Sequence, residues 1–191
     1  MIDVKILILD NYDSFTYNLV HLIEKVSDAS VSVYLNDKIS LDEANNFDKI
    51  VLSPGPGLPK DAGIMPDLLK QYSTSKDIFG VCLGFQAIGE HYGGSLKNLK
   101  KVYHGLATPI RVLQSDPLFK NCPESFNVGR YHSWVIDKDC LPKELHVIAE
   151  DENGNIMAGR HYKDRVCGVQ FHPESILSQY GEVLMHNWLN S

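Results

Sequence analysis

The stretch Phe79-Gly80-Val81-Cys82-Leu83-Gly84-Phe85-Gln86 constrains this chain more than any other. Ile78 to Val81 reads as the end of a buried strand and Gly84 to Tyr92 as a helix, so Cys82 falls at the tight turn joining them. Glycines two residues before and two residues after the cysteine suit a turn where strand, helix and an approaching substrate crowd the backbone. The sulfur is expected to stand clear of the main chain, and the positive end of the following helix favours a thiolate over a thiol. Taken alone, a cysteine between glycines is more often a small buried hydrophobe than a nucleophile.

A second stretch changes that weighing. Gly168-Val169-Gln170-Phe171-His172-Pro173-Glu174-Ser175 is an apolar strand ending in a histidine and a glutamate. A cysteine nucleophile needs a base to take its proton and return it to a leaving group, and the base needs a third group to fix its tautomer. His172 and Glu174 suit those roles, with Pro173 holding the backbone extended so that residues two apart point to one side. His132, in Tyr131-His132-Ser133-Trp134, is the rival base, but it has no carboxylate two residues on.

The rest of the chain supplies a sheet to carry these groups. Val4 to Leu9, Val31 to Leu35 and Lys49 to Leu52 read as strands. They alternate with a helix capped by Asp13 or Ser14, whose apolar face holds Phe15, Leu19, Leu22, Ile23 and Val26, and with helix candidates at Leu41 to Asn46 and Ile64 to Tyr72. Alternation of this kind predicts an α/β fold with a mostly parallel sheet between helices. From Gly93 onward, short strands at Leu106 to Leu113, Arg130 to Ile136, Leu145 to Ala149 and Ile156 to His161 predict antiparallel hairpins, with Asn153-Gly154 as a turn signal. Tyr180 to Leu189 closes the chain as an amphipathic helix, with Tyr180, Val183, Leu184 and Trp188 on one face. No linker or repeat divides residues 1–191, so one domain is expected, large enough to bury roughly 70% of its unfolded surface.

Ser53-Pro54-Gly55-Pro56-Gly57 forms a rigid loop at a strand's end, and beside Cys82 it has a chemical use. Attack by a thiolate on a carbonyl group builds negative charge on its oxygen, and backbone N–H groups aimed there stabilise it by roughly 3 kcal/mol per donor. Gly57 and Leu83 are the expected donors. Gln86 lies one helical turn after Cys82, on the same side of the helix start.

A formal net charge of −6 and the lack of a basic run exclude a nucleic-acid surface or an anionic membrane as partner. Met1 to Leu9 is too short and too strand-like for a signal peptide, and no run of about eighteen apolar residues occurs, so a soluble, cytoplasmic chain is expected. Four cysteines without paired spacing and eight scattered histidines point to a reducing compartment and no metal site. His21 and His104 read as ordinary, partly exposed residues.

The two stretches around Cys82 and His172 together resemble the class I glutamine amidotransferases, along nearly the whole chain. Asn11-Tyr12-Asp13-Ser14-Phe15-Thr16-Tyr17-Asn18, the Ser53 to Gly57 loop and Arg130-Tyr131-His132-Ser133 further resemble the glutaminase subunits of anthranilate synthase and aminodeoxychorismate synthase. The resemblance implies a flavodoxin-like sheet with an added antiparallel portion, and a triad of Cys82, His172 and Glu174. It implies a glutamine site built from Gly55, Pro56, Gly57, Leu83, Gln86, Ser133 and Trp134, with the Ser133-Trp134 backbone holding the amino-acid end. It also implies L-glutamine as substrate and, as partner, a larger chorismate-binding synthase subunit. The Asn11 to Asn18 region is then expected near that partner, and His132 near the surface facing it. Phe85 and Trp134 depart from the subfamily's usual histidine and leucine, a matter of local packing and pocket wall.

The mechanism so implied is attack by Cys82 on the glutamine side-chain amide, protonation of departing ammonia by His172, and hydrolysis of a glutamyl thioester, with no metal or organic cofactor. Two other readings share parts of the pattern. Another α/β-type cysteine hydrolase, such as a peptidase or deglycase, needs the elbow but not the Pro54 to Gly57 loop, Gln86 or the Tyr131 segment; a non-catalytic regulatory subunit needs no triad.

Overall fold

The computed structural model describes residues 4–191. Five strands, β1 (Lys5–Asp10), β2 (Ser30–Leu35), β3 (Lys49–Leu52), β4 (Asp77–Val81) and β11 (Val166–Val169), lie parallel in the order β2-β1-β3-β4-β11. Beyond β11 the same sheet continues antiparallel through β10 (Ile156–His161), β9 (Leu145–Asp151), β6 (Leu106–Val112) and β7 (Ser125–Arg130). The mostly parallel sheet with helices on both faces, and the antiparallel addition, are those expected from the sequence. Asn153-Gly154 does turn β9 into β10, with Gly154 at φ 75°.

Apolar runs make these strands because both faces of the sheet are covered. Ile6, Ile8, Val51, Phe79 and Val169 point to one side, where they meet Leu19 and Ile23 of α1 (Thr16–Val26) and Leu184 and Trp188 of α5 (Gly181–Leu189). Leu7, Leu9, Ile50 and Leu52 point to the other, against Leu68 and Leu69 of α3 (Met65–Tyr72) and Phe85 and Ile88 of α4 (Leu83–His91). The period of two along the strand thus fills two cores at once. Phe79 meets Trp188 with ring centroids 5.3 Å apart, and full burial of an aromatic side chain like Phe79 is worth about 1.5–3 kcal/mol.

Three sequence expectations are corrected. First, neither Asp13 nor Ser14 caps α1: Phe15 occupies the cap position without a side-chain bond. The Asp10 carboxylate instead accepts from Asp13 N at 3.1 Å and Thr16 Oγ1 at 2.9 Å, while Asp13 accepts from Phe15 N at 2.8 Å. The strand-end aspartate therefore ties down the helix start, and Asp13 spends its side chain on a local turn. Second, the helix expected from Leu41 to Asn46 is shorter, α2 (Leu41–Ala44), set by a capping box between Ser40 and Glu43.

Third, Arg130 to Ile136 is not one strand. β7 ends at Arg130, and Trp134–Ile136 forms β8, which pairs with β5 (Leu96–Asn98) in a separate small sheet. Tyr131, His132 and Ser133 leave the main sheet because their carbonyls are bonded elsewhere: Tyr103 N donates to His132 O at 3.0 Å and Leu99 N to Ser133 O at 2.7 Å. That step places the three residues beside Cys82.

The loops after β3, β4 and β11 all leave from the carboxyl edge of the parallel strands, where open α/β sheets hold their ligands. Among the described residues no helix is long and apolar enough to cross a membrane.

Candidate active site

Cys82 sits between β4 and α4 with φ 52° and ψ −101°. A non-glycine residue pays on the order of 1–3 kcal/mol for such a conformation, which persists only where its surroundings hold it. Here Cys82 N donates to Val169 O at 2.8 Å, and Gln86 N donates to Cys82 O at 3.0 Å. The flanking glycines are required by close backbone approach. A Cβ on Gly84 would lie 2.3 Å from Leu52 O, and one on Gly80 would lie 2.6 Å from the Gly84 carbonyl. Phe85 is fully buried, its ring over Gly159 and Gly168, where a Cβ would come within 3.1 and 2.7 Å of it respectively. The departure at Phe85 is thus a packing matter, accommodated by two strands that keep glycine beneath the ring.

His172 follows β11 and is held by its main chain: its N–H donates to Gly129 O at 2.9 Å, and its carbonyl accepts from Ser178 Oγ at 2.5 Å. Its Nδ1 is 2.7 Å from Glu174 Oε1, with the two side chains 3% and 0% exposed. The rings of Phe15 and Tyr131 stand edge-on to the imidazole at 5.8 and 4.8 Å and keep water from it. Nε2 is buried without a hydrogen-bond partner among the described residues. Burial works against a charged imidazole, but the Cys82 sulfur and the Glu174 carboxylate outweigh it and raise the pKa of His172 well above the usual histidine range. Asp13 lies close enough to feel both groups; its own carboxyl is raised chiefly by burial.

Cys82 opens into a cavity of about 380 Å³. Gly55, Gly57, Leu83, Gln86, Ser133 and Trp134, all expected at the glutamine site, line it, together with Leu58, Tyr131 and His132. Pro56 does not; it lines a neighbouring hollow with Asn11 and Asn36 on the other side of the loop. Gly57 lines the cavity with φ 77°, a left-handed conformation that carries no steric cost for glycine. The N–H groups of Gly57 and Leu83 donate to no acceptor among the described residues.

His132 is not near the surface: it is 6% exposed. Its Nε2 accepts from Arg130 Nε at 3.1 Å and its Nδ1 is 3.0 Å from Trp134 O, so both ring nitrogens are engaged. Burial, reinforced by the Arg130 charge, pushes its pKa down to about 3. The imidazole is therefore neutral and its accepting nitrogen already taken, which disqualifies it as a base for Cys82.

Two groups that stand in the sequence motifs were given no role there. Arg130, 1% exposed, pairs with Asp151 at 2.8 Å and packs its guanidinium 3.5 Å from the centre of the Tyr103 ring. Gln170, fully buried, places Nε2 3.5 Å from Cys82 Sγ, while its Oε1 accepts from Gln86 Nε2 at 3.3 Å. Gln170 stands in the stretch that carries the family resemblance, two residues before His172, but nothing in the sequence gave its side chain a role.

A cysteine at a strained strand-to-helix turn, beside a buried imidazole–carboxylate pair and a loop of free N–H groups, has the parts needed for acyl transfer through sulfur. The chain belongs to the class I glutamine amidotransferase family, whose match covers residues 7–191. An anthranilate synthase component 2 from Lactococcus lactis is 43% identical over 187 residues, covering 97% of this chain and 93% of that protein. A putative anthranilate synthase component II from Haemophilus influenzae is 39% identical over 186 residues, covering 97% and 96%. Among solved structures, a putative GMP synthase protein from Thermoplasma acidophilum superposes with a TM-score of 0.89 over 100% of this chain and 94% of that one, at 24% identity, and so shares the fold.

Proposed function

We propose that this glutamine amidotransferase hydrolyses L-glutamine through a Cys82 thioester and delivers the ammonia to a larger, chorismate-converting synthase subunit. The observation that carries the chemistry is the 2.7 Å His172–Glu174 pair, which leaves Nε2 unpartnered in the same site as the Cys82 sulfur. The sulfur of Cys82 attacks the side-chain carbonyl carbon of glutamine, and charge on the carbonyl oxygen is met by the N–H groups of Gly57 and Leu83. His172, charged by the proton of Cys82, gives that proton to the nitrogen as the C–N bond breaks, releasing ammonia. Water then attacks the thioester, passing a proton to His172, and the C–S bond breaks to return the thiol and glutamate. Glu174 holds His172 in one tautomer and stabilises its charged form.

Substrate selection follows from the cavity's polar wall. The backbone of Ser133 and Trp134 suits the α-amino and α-carboxylate end of glutamine, and Gln86 suits the amide end. The chorismate partner is supported by the names of the two relatives, each matched over nearly its full length. Service to anthranilate synthase, to aminodeoxychorismate synthase, or to both is part of the same proposal.

The test is to mix the chain separately with the large subunit of each synthase and follow glutamine-dependent product. One product names the enzyme served, and both identify a shared subunit. Neither product, with ammonia still released from glutamine, would keep the glutaminase and discard the chorismate partner. Cys82→Ser is expected to abolish glutamine use while leaving the partner's ammonia-dependent reaction intact; glutamine turnover in that variant would refute the thioester.

A further inference from the structure

We infer that Gln170 is a further catalytic residue, a fixed hydrogen-bond donor to the Cys82 sulfur whose orientation is set by a buried polar relay. The proposal rests on the reading of Cys82 as the nucleophile.

The direction of every bond in the relay follows from two groups that cannot reverse. A guanidinium can only donate, so His132 Nε2, 3.1 Å from Arg130 Nε, must be the unprotonated nitrogen. The proton is then on Nδ1 and is donated to Trp134 O at 3.0 Å. A backbone carbonyl can only accept, so the Gln86 atom 2.9 Å from the same oxygen must be its NH₂. That NH₂ is also 3.3 Å from the side chain of Gln170, which must present its oxygen there. The NH₂ of Gln170 is therefore the end left to face Cys82 Sγ, at 3.5 Å. The reverse orientation would set NH₂ against NH₂ and an amide oxygen against the sulfur, two repulsive contacts in a site where Gln170 is fully buried and Gln86 is 3% exposed.

The far end of the relay is anchored as firmly. Arg130 NH1 donates to Asp151 Oδ2 at 2.8 Å, and the Asp151 carboxylate also takes Asn153 N, Asn155 N and Asn155 Nδ2, each at 2.9 Å. The turn of the β9–β10 hairpin is thereby connected, bond by bond, to the nucleophile at the end of β4.

A donor aimed at sulfur favours thiolate over thiol, and unlike a histidine or lysine it cannot lose its proton in the working pH range. The charged and titratable groups around the sulfur are His172 with Glu174 behind it, Asp13 beside that pair, and Arg130 through His132. Gln170 adds to this set a neutral donor in direct contact with the sulfur, 3.5 Å away, whose effect does not change with pH.

The experiment measures iodoacetamide alkylation of Cys82 against pH in the full chain, with Cys82→Ser as the blank for the other thiols. In Gln170→Leu, which keeps the volume and removes the donor, the alkylation midpoint is expected to move up by roughly 0.5–1 pH unit, a three- to tenfold smaller thiolate fraction below it. Glutaminase kcat should fall with it, while KM for glutamine changes less than twofold. A folded Gln170→Leu with a wild-type alkylation profile overturns the proposal. Should that variant misfold, the wild-type protein carries the test: one glutamine side-chain NH₂ pair must shift in NMR spectra with the alkylation midpoint and lose that titration in Cys82→Ser. Absence of such a pair is equally fatal. Alkylation reads the sulfur with no glutamine present, so an inactive wild-type protein would refute the proposed glutaminase without touching this result.

Discussion

Replacing Glu174 by glutamine keeps the shape of the side chain and removes the charge that faces His172. The contact is short, 2.7 Å, and both side chains are shut off from water at 3% and 0% exposure, so solvent screens almost none of it. A hydrogen bond to a charged group is worth about 1.5–3 kcal/mol. If that difference appears mainly in the charged His172 that donates to the leaving nitrogen, kcat falls by about 10- to 150-fold while KM stays near its original value. The stability effect has a defined sign. Because the folded pKa of His172 is raised, its charged form contributes stability in full below about pH 6.5, the unfolded value, and that contribution is lost as pH rises toward the folded value. Urea titrations should therefore show wild type and Glu174→Gln furthest apart at pH 6 and converging at alkaline pH. A variant with kcat within twofold of wild type from pH 6 to 9 would refute the role given to the pair.

Two further substitutions test the scaffold. Gly84→Ala would drive a Cβ to 2.3 Å from Leu52 O, a backbone atom that cannot swing aside, so β3 and α4 must part; we expect a loss of about 1–3 kcal/mol by chemical denaturation, and an unchanged midpoint would contradict the close approach. Arg130→Met strips the partner from Asp151 in a pair with both side chains 1% exposed, with an expected loss of about 3–5 kcal/mol. A loss under about 1 kcal/mol would mean that the three donors from Asn153 and Asn155 satisfy the Asp151 carboxylate without the guanidinium.

The sequence carried the local parts of this protein. The strand, the elbow at Cys82 and the helix after it were legible because each is written in a few adjacent residues: apolar alternation, glycines at fixed offsets, a helical period. His172 with Glu174 was legible for the same reason, two residues on one side of an extended stretch. The break after Arg130 was not, because Val135 and Ile136 have strand-like apolarity and nothing nearby shows that Leu99 and Tyr103 take the carbonyls of Ser133 and His132.

The roles of the histidines and glutamines divide along the same line. Composition and spacing left His132 as a rival to His172, and only the fold brings the Arg130 guanidinium onto its accepting nitrogen and closes that option. Gln170 looked like part of a strand until folding set it against Gln86 and Cys82, residues 84 and 88 positions away in the chain. Short-range pattern determines which elements form, because backbone sterics and side-chain periodicity act over a few residues. The protonation state and orientation of a buried polar group are settled by partners that only the tertiary structure brings within hydrogen-bond distance.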